Sequence, residues 1–229
     1  MTTQPGDKSE AARRTGPALA PAHGTGTGTG AGLDPFAALP ATDAAAHERL
    51  HARLAESAER EGLLDVAYRT LETPVGPLLL AATERGLVRV AYGVQDHDAV
   101  LADLADRVSP RVLLAPARLA QAVRQIEEYF EGRRTRFELA LDLRLAKGFR
   151  REVITHLPDI GYGRTESYAQ VAAAAGSPRA VRAVGTACAT NPLPVVVPCH
   201  RVVRSDGSAG GYAGGAEAKR TLLNLEAAA

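Results

Sequence analysis

The apolar positions change period several times along the chain, and each change marks an element. From Asp43 to Glu61 the stretch AAAHERLHARLAESAERE is helix-prone, with Leu50 and Leu54 one turn apart. A solvated helix is the plain expectation there, and a partner-binding helix is the alternative. From Leu63 the run VAYRTLETPVGPLLLAATERGLVRVAYG reads as strand, Pro-Gly turn, strand, a turn at Arg85-Gly86, and strand. This is a β-meander. Asp96–Val108 reads as a helix. Pro116–Tyr129 reads as another, with Leu119, Val123, Ile126 and Phe130 on one face, ended by Gly132. Phe137–Leu143 is an apolar extended run.

From Phe149 the period becomes helical, with Phe149, Val153 and Leu157 at four-residue spacing. Two helix starts follow closely. Ser167 with Gln170 fits a capping box, and the helix YAQVAAAAG ends at Gly176. Ser177 then fits an N-cap, with Pro178 at the first helical position. That second helix, RAVRAVGTACAT, runs to the Asn191-Pro192 break. Two short helices around a glycine-containing turn form the helix-turn-helix pattern, which two packed core helices would also produce. The VVV run, Val195–Val197, reads as a buried strand that delivers Pro198-Cys199-His200-Arg201 at its end. The fold class expected is α+β. A β-meander/helix domain covers 62–143, and a mainly helical domain covers 144–229. Residues 1–61 form a disordered or partly helical extension. Within it, PAHGTGTGTGAG has no apolar period and cannot offset chain entropy by burial. A phosphate-binding loop would need a strand before it and a helix after it, and neither is there.

Composition narrows the class. The 229 residues carry 27 Lys plus Arg and 26 Asp plus Glu, a formal charge of +1. That balance excludes a histone-like polycation and an acidic-tail protein, but leaves room for a local basic face. From Arg150 onward nine basic side chains face six acidic ones, so the surplus lies in the C-terminal part. No run approaches the ~18 apolar residues of a membrane-spanning helix. No apolar h-region follows MTTQPGDKSEAARR, so no secretory signal is expected. Two cysteines, Cys188 and Cys199, are too few for a disulfide framework or a Cys-rich zinc site. The expected compartment is the reducing cytoplasm.

The candidate chemistry lies in NPLPVVVPCHRVVRSDGSAGGYAGG. A thiol is a nucleophile only as thiolate, so Cys199 needs a base, and His200 is adjacent. On an extended chain neighbouring side chains point to opposite faces, so a direct bond would need a turn and a bridging water is the easier geometry. A carboxylate should orient the histidine from its far side, and Glu226 is the candidate. By itself a Cys-His pair is weak, since an inert buried cysteine beside a surface histidine is commoner.

NPLPVVVPCHRV closely resembles the active-site signature of the O6-alkylguanine-DNA alkyltransferase family. SYAQVAAAAGSPRAVRAVGTACATNP resembles that family's DNA-binding helix-turn-helix, in the same order and at ungapped spacing. GGYAGGAEAKRTLLNLE is similar to its ending, and the meander is similar to its N-terminal domain. The resemblance covers Leu63 to Glu226. It implies transfer of an alkyl group from O6-alkylguanine in double-stranded DNA, with O4-alkylthymine as a further candidate, to Cys199. Transfer would happen once and irreversibly, after the base is flipped through the minor groove. His200 would take the thiol proton through a water and Glu226 would hold His200. Asn191 would bond backbone in the turn before the active site, a role that an ordinary Asx turn shares. Tyr168 would crowd the target phosphate and donate to the guanine; otherwise it is a half-buried aromatic. Val202 would offer its carbonyl to the guanine amine, and Tyr212 and Ala213 would line the base pocket. Arg182 would fill the gap left by the flipped base, with Ala183, Gly185 and Thr186 on the same DNA-facing helix; otherwise Arg182 is a surface arginine. No cofactor is implied. The four-ligand zinc set of some relatives is absent, and a monomer with no membrane contact is expected.

Three departures stand out. Ala213 replaces a serine common in the family, which predicts altered reactivity. Arg150 and Ile154 stand where glutamine and tryptophan are usual, which predicts weaker domain docking. Val181 and Thr186 are bulkier than usual on the recognition helix. Two rivals remain: a lesion binder without chemistry, which would lack Cys199, and a cysteine hydrolase using His156 or His97.

Overall fold

The computed structural model describes residues 43–227, so the Thr-Gly stretch and the rest of 1–42 lie outside the described residues. α1 (Ala44–Arg60) starts at Asp43, whose carboxylate accepts from the Ala45 amide. Its Leu50 and Leu54 are 63% and 54% exposed, as a solvated helix requires. Only Ala55 and Ala58 turn inward, against Leu64, Ala67 and Ala115.

The meander forms as the alternation predicts. β1 (Val66–Leu71), β2 (Leu78–Thr83) and β3 (Gly86–Tyr92) pair antiparallel. Leu71 faces Leu78 across the first turn, and a bulge sits at Ala81/Ala82. α2 (His97–Arg107) begins after Asp96 and leads to β4 (Val112–Leu114). This three-residue strand pairs parallel to β1 and had no periodic signal; the sheet order is β3-β2-β1-β4. β2 is buried on both faces, which explains its unbroken LLLAAT run. One face, with Leu79, Ala81 and Val88, packs on Val100 and Leu104 of α2. The other, with Leu78, Leu80, Val90 and Tyr92, packs on α3 (Ala120–Phe130) and the C-terminal helices. The helix expected over Pro116–Tyr129 divides into a 3-10 turn at Pro116–Leu119 and then α3.

The Phe137–Leu143 run is extended, but it makes only one bridge, Leu141 to Leu87 on the free edge of β3. α4 (Phe149–His156) follows, then β5 (Glu166–Ser167), α5 (Tyr168–Ala174), α6 (Val181–Ala189), β6 (Val202–Val203) and α7 (Gly215–Ala227). β5 pairs parallel to β6. α4, α5 and α6 pack on one another, and a single apolar cluster runs from β2 and β3 through these helices to Cys199 and Leu222.

Two expectations need correction. α6 starts at Val181 with Ala180 as its cap. Ser177 and Pro178 instead belong to a turn closed by the Ala180 amide on the Ser177 carbonyl, at 2.8 Å. Val195–Val197 is not a strand. Pro194 and Pro198 cannot donate to a ladder, and Asn191 ties the segment into turns. Within the C-terminal part, Arg150 donates to the Leu145 carbonyl and, at 3.4 Å, to the Thr190 hydroxyl, while Ile154 is 1% exposed in the core. Of the charged residues in the C-terminal part, Arg201, Lys219 and Glu226 are buried.

Candidate active site

The helix-turn-helix is fixed at its start by a capping box. The Gln170 amide donates to Ser167 Oγ, and the Ser167 amide donates to Gln170 Oε1. α6 turns Val184, Ala187 and Cys188 inward. Arg182, Ala183 and Thr186 face outward beside the half-buried Gly185. Val181 is 38% exposed.

The chain then enters ten consecutive buried residues, Asn191–His200. Asn191 organises them. Its Nδ2 donates to the Val197 carbonyl and its Oδ1 accepts from the Leu193 amide, both at 2.9 Å. Inside this loop Val195 sits at φ 72°, a left-handed conformation costly for a β-branched residue. From the sheet, the Val90 amide donates to the Pro192 carbonyl at 2.8 Å. The segment ends in a 3-10 turn, Cys199–Arg201.

Cys199 is 1% exposed. Burial raises its pKa to about 11, against the pull of the Asn191 carboxamide, the Lys219 ammonium and the Tyr212 hydroxyl. It therefore rests as a thiol. His200 is fully buried, and burial lowers its pKa more than Glu226 raises it, so the ring rests neutral. Its Nε2 lies 2.8 Å from Glu226 Oε1. A carboxylate only accepts, so Nε2 carries the proton and Nδ1 is the acceptor. Nδ1 is buried and has no protein partner.

Glu226 would be penalised by burial, yet its pKa falls to about 2 because His200 and Arg201 hydrogen-bond it and the Arg201 charge offsets its own. Tyr129 donates to it at 2.7 Å and the Gly163 amide at 3.2 Å. Arg201 adds two bonds at 2.9 Å and lies over the Tyr162 ring.

The remaining candidates gather around this centre. Tyr168 is half-buried, and a Cβ on Gly210 would collide with its hydroxyl, so a larger residue there would have to displace the Tyr168 ring. The Tyr212 ring stands edge-on to His200 with centroids 6.4 Å apart, and Ala213 is half-buried next to it. The Val202 carbonyl already accepts from Lys219 Nζ at 2.6 Å, which leaves it one lone pair. His156 bonds Glu166 at 2.9 Å instead of serving the thiol. Among the described residues no three His, Cys, Asp or Glu side chains converge as a metal would need.

Motif reading missed Arg201, Tyr129 and Lys219 as parts of the site. A signal existed for Lys219: with Leu222 and Glu226 it falls at three- and four-residue spacing on one face of α7. Charges at core positions of a helix ask for buried partners. Tyr129 has no such mark.

Fold and site together define a class: a helix-turn-helix protein whose second helix leads straight into a buried thiol beside a His–Glu pair. The family model described as 6-O-methylguanine DNA methyltransferase, DNA binding domain, matches residues 148–228, and the one described as its ribonuclease-like domain matches 66–143. The chain belongs to the 6-O-methylguanine DNA methyltransferase family. It is 39% identical over 161 residues to the methylated-DNA–protein-cysteine methyltransferase of Mycolicibacterium paratuberculosis, covering 70% of this chain and 92% of that one. It is 41% identical over 160 residues to the constitutive enzyme of the same name from Bacillus subtilis, covering 69% and 94%. The crystal structure of Mycobacterium tuberculosis OGT in complex with DNA superposes with a TM-score of 0.63 at 38% identity, covering 71% of this chain and 93% of that one.

Proposed function

We propose that this chain repairs DNA by moving an alkyl group from guanine O6 to Cys199, in double-stranded DNA. The observation that carries the reading is the unpartnered Nδ1 of His200 in the buried Cys199–His200–Glu226 set. A neutral imidazole fixed through Nε2 can accept a proton only at Nδ1, and a water there reaches the neighbouring thiol.

The lesion lies inside the duplex, so the base must leave the stack. Arg182 extends from the exposed face of α6 to occupy the gap, and the small residues near it admit the minor groove. The Val202 carbonyl and Tyr168 hydroxyl bond the guanine edge, and Tyr212 and Ala213 wall the pocket. The Cys199 proton passes through water to His200 Nδ1, and Glu226 stabilises the imidazolium. The thiolate attacks the alkyl carbon in line. A carbon–sulfur bond forms as the carbon–O6 bond breaks, and guanine keeps the electron pair. The imidazolium proton returns through water to the purine. The product is a thioether that no group in the site reverses, so each molecule reacts once. This chemistry suits the cytoplasm, where the thiol stays reduced.

The test is to mix the purified chain with a duplex carrying one O6-methylguanine, then measure intact mass and map the modified peptide. A gain of one methylene mass on the Cys199 peptide, absent with unmodified DNA and in Cys199→Ala, is expected. Lesion-selective binding without a mass change would leave a sensor in place of a transferase.

A further inference from the structure

We propose that Tyr92, on the sheet and outside the active-site segment, is a positioning residue for alkyl transfer: its hydroxyl fixes the Tyr212 hydroxyl at the wall of the base pocket. The proposal rests on Cys199 being the alkyl acceptor.

Tyr92 ends β3 and is 1% exposed. Its hydroxyl lies 2.8 Å from that of Tyr212, and the two rings meet edge to face at 5.7 Å. A Cβ on Gly214 would come within 2.7 Å of the Tyr92 ring, so the Tyr212–Gly214 segment is seated directly on that ring. The end of β3 is itself held. The Tyr92 amide donates to Gln95 Oε1 at 3.0 Å, and the Gly93 amide to the Pro77 carbonyl at 2.9 Å. Two residues earlier, Val90 holds the Pro192 carbonyl. One strand thus braces both the turn that leads into Cys199 and the segment that faces it.

A buried phenol needs a hydrogen-bond partner, and each of these two supplies the other's. In such a pair one hydroxyl donates and the other is free to donate elsewhere. Burial raises the pKa of both, so both act as donors and not as acids. In the proposed arrangement Tyr92 donates to the Tyr212 oxygen, which leaves the Tyr212 proton for the Cys199 sulfur, whose ionised form that hydroxyl favours. The groups facing Cys199 from its surroundings are Tyr92, Tyr212, Tyr168, Cys188, Lys219 and its neighbour His200. The Asn191 carboxamide and the Lys219 ammonium favour the ionised sulfur, and the oriented Tyr212 hydroxyl adds to them.

The full chain and Tyr92→Phe are compared in single-turnover transfer from a duplex carrying one O6-methylguanine, from about pH 6 to about pH 10. Phenylalanine keeps the ring under Gly214 and removes only the hydroxyl. The expected result is a roughly tenfold slower transfer, the size of one hydrogen bond to a charged group, with the rising limb of the pH profile moved upward. Lesion-duplex affinity, measured in a Cys199→Ala background, stays within about twofold, since Tyr92 is closed off from solvent. Tyr92→Phe should add nothing once Tyr212→Phe is present, whereas independent roles would multiply. A wild type that transfers, matched in rate and pH profile by Tyr92→Phe, overturns this proposal alone. A wild type that transfers nothing overturns the acceptor assignment and this proposal with it.

Discussion

The Arg201 guanidinium grips both oxygens of Glu226, with Nε 2.9 Å from Oε2 and Nη2 2.9 Å from Oε1. The carboxylate is thereby neutralised inside the protein while one oxygen still serves His200. Arg201→Met should leave an uncompensated buried charge and cost about 3–5 kcal/mol, read as a lower urea midpoint. Adding Glu226→Gln should recover part of that loss, because the orphaned charge is then gone. Two additive losses would contradict the pairing.

Acid should unfold the protein in two stages. Burial lowers the His200 pKa, so below about pH 6.5 the unfolded chain binds a proton that the folded chain refuses. Glu226, at about 2 when folded, behaves alike below about pH 4.5. In both cases the unfolded state holds more protons, so stability falls as pH falls, first below about 6.5 and more steeply from about 4.5 down to about 2. Asp65, Glu128 and Asp206 are also lowered, but they lie near water, which screens their contribution. Urea midpoints against pH check this, and Glu226→Gln should remove the lower stage.

Asn191→Ala removes the partner of the buried Leu193 amide and one of the two donors to the Val197 carbonyl, which keeps the Cys199 amide at 2.8 Å. The expected cost is about 1–3 kcal/mol for the orphaned amide. The strained Val195 is then free to relax, and Cys199, four residues on, shifts with it. A displacement of about 1 Å is enough to slow transfer about 100-fold. Single-turnover rates and thermal unfolding on the same preparation separate the two effects.

Much of this was legible locally. The meander, the capping box at Ser167 and the Cys199–His200 pair are short-range patterns, and local chemistry decides them. The misreadings were also local in origin. Val195–Val197 has strand composition, but the prolines on either side and the Asn191 bonds outweigh it. Ser177-Pro178 has the chemistry of a helix start, but the Ser177–Ala180 turn delays α6 to Val181. What stayed hidden was long-range. Tyr129 meets Glu226 across 97 positions and Tyr92 meets Tyr212 across 120. No spacing rule joins residues so far apart; only the packing of the sheet on the C-terminal helices does.

Arg182 is exposed on α6. Arg182→Ala should leave stability within about 0.5 kcal/mol of the wild type. On the role proposed for Arg182, transfer from the lesion duplex should fall at least about tenfold, since the gap behind a flipped base would go unfilled. Reaction with free O6-methylguanine base should be unchanged, because no stack has to be opened. Equal losses on both substrates would remove Arg182 from the DNA contact.

A residue that reacts once must survive until its target arrives. Cys199 is stored as an unionised thiol, 1% exposed, with its pKa raised to about 11. Stray electrophiles meet little thiolate and almost no open path to it. With Cys199 as the proposed acceptor, the burial that makes the sulfur sluggish alone would also keep it unspent until a damaged base is seated against it.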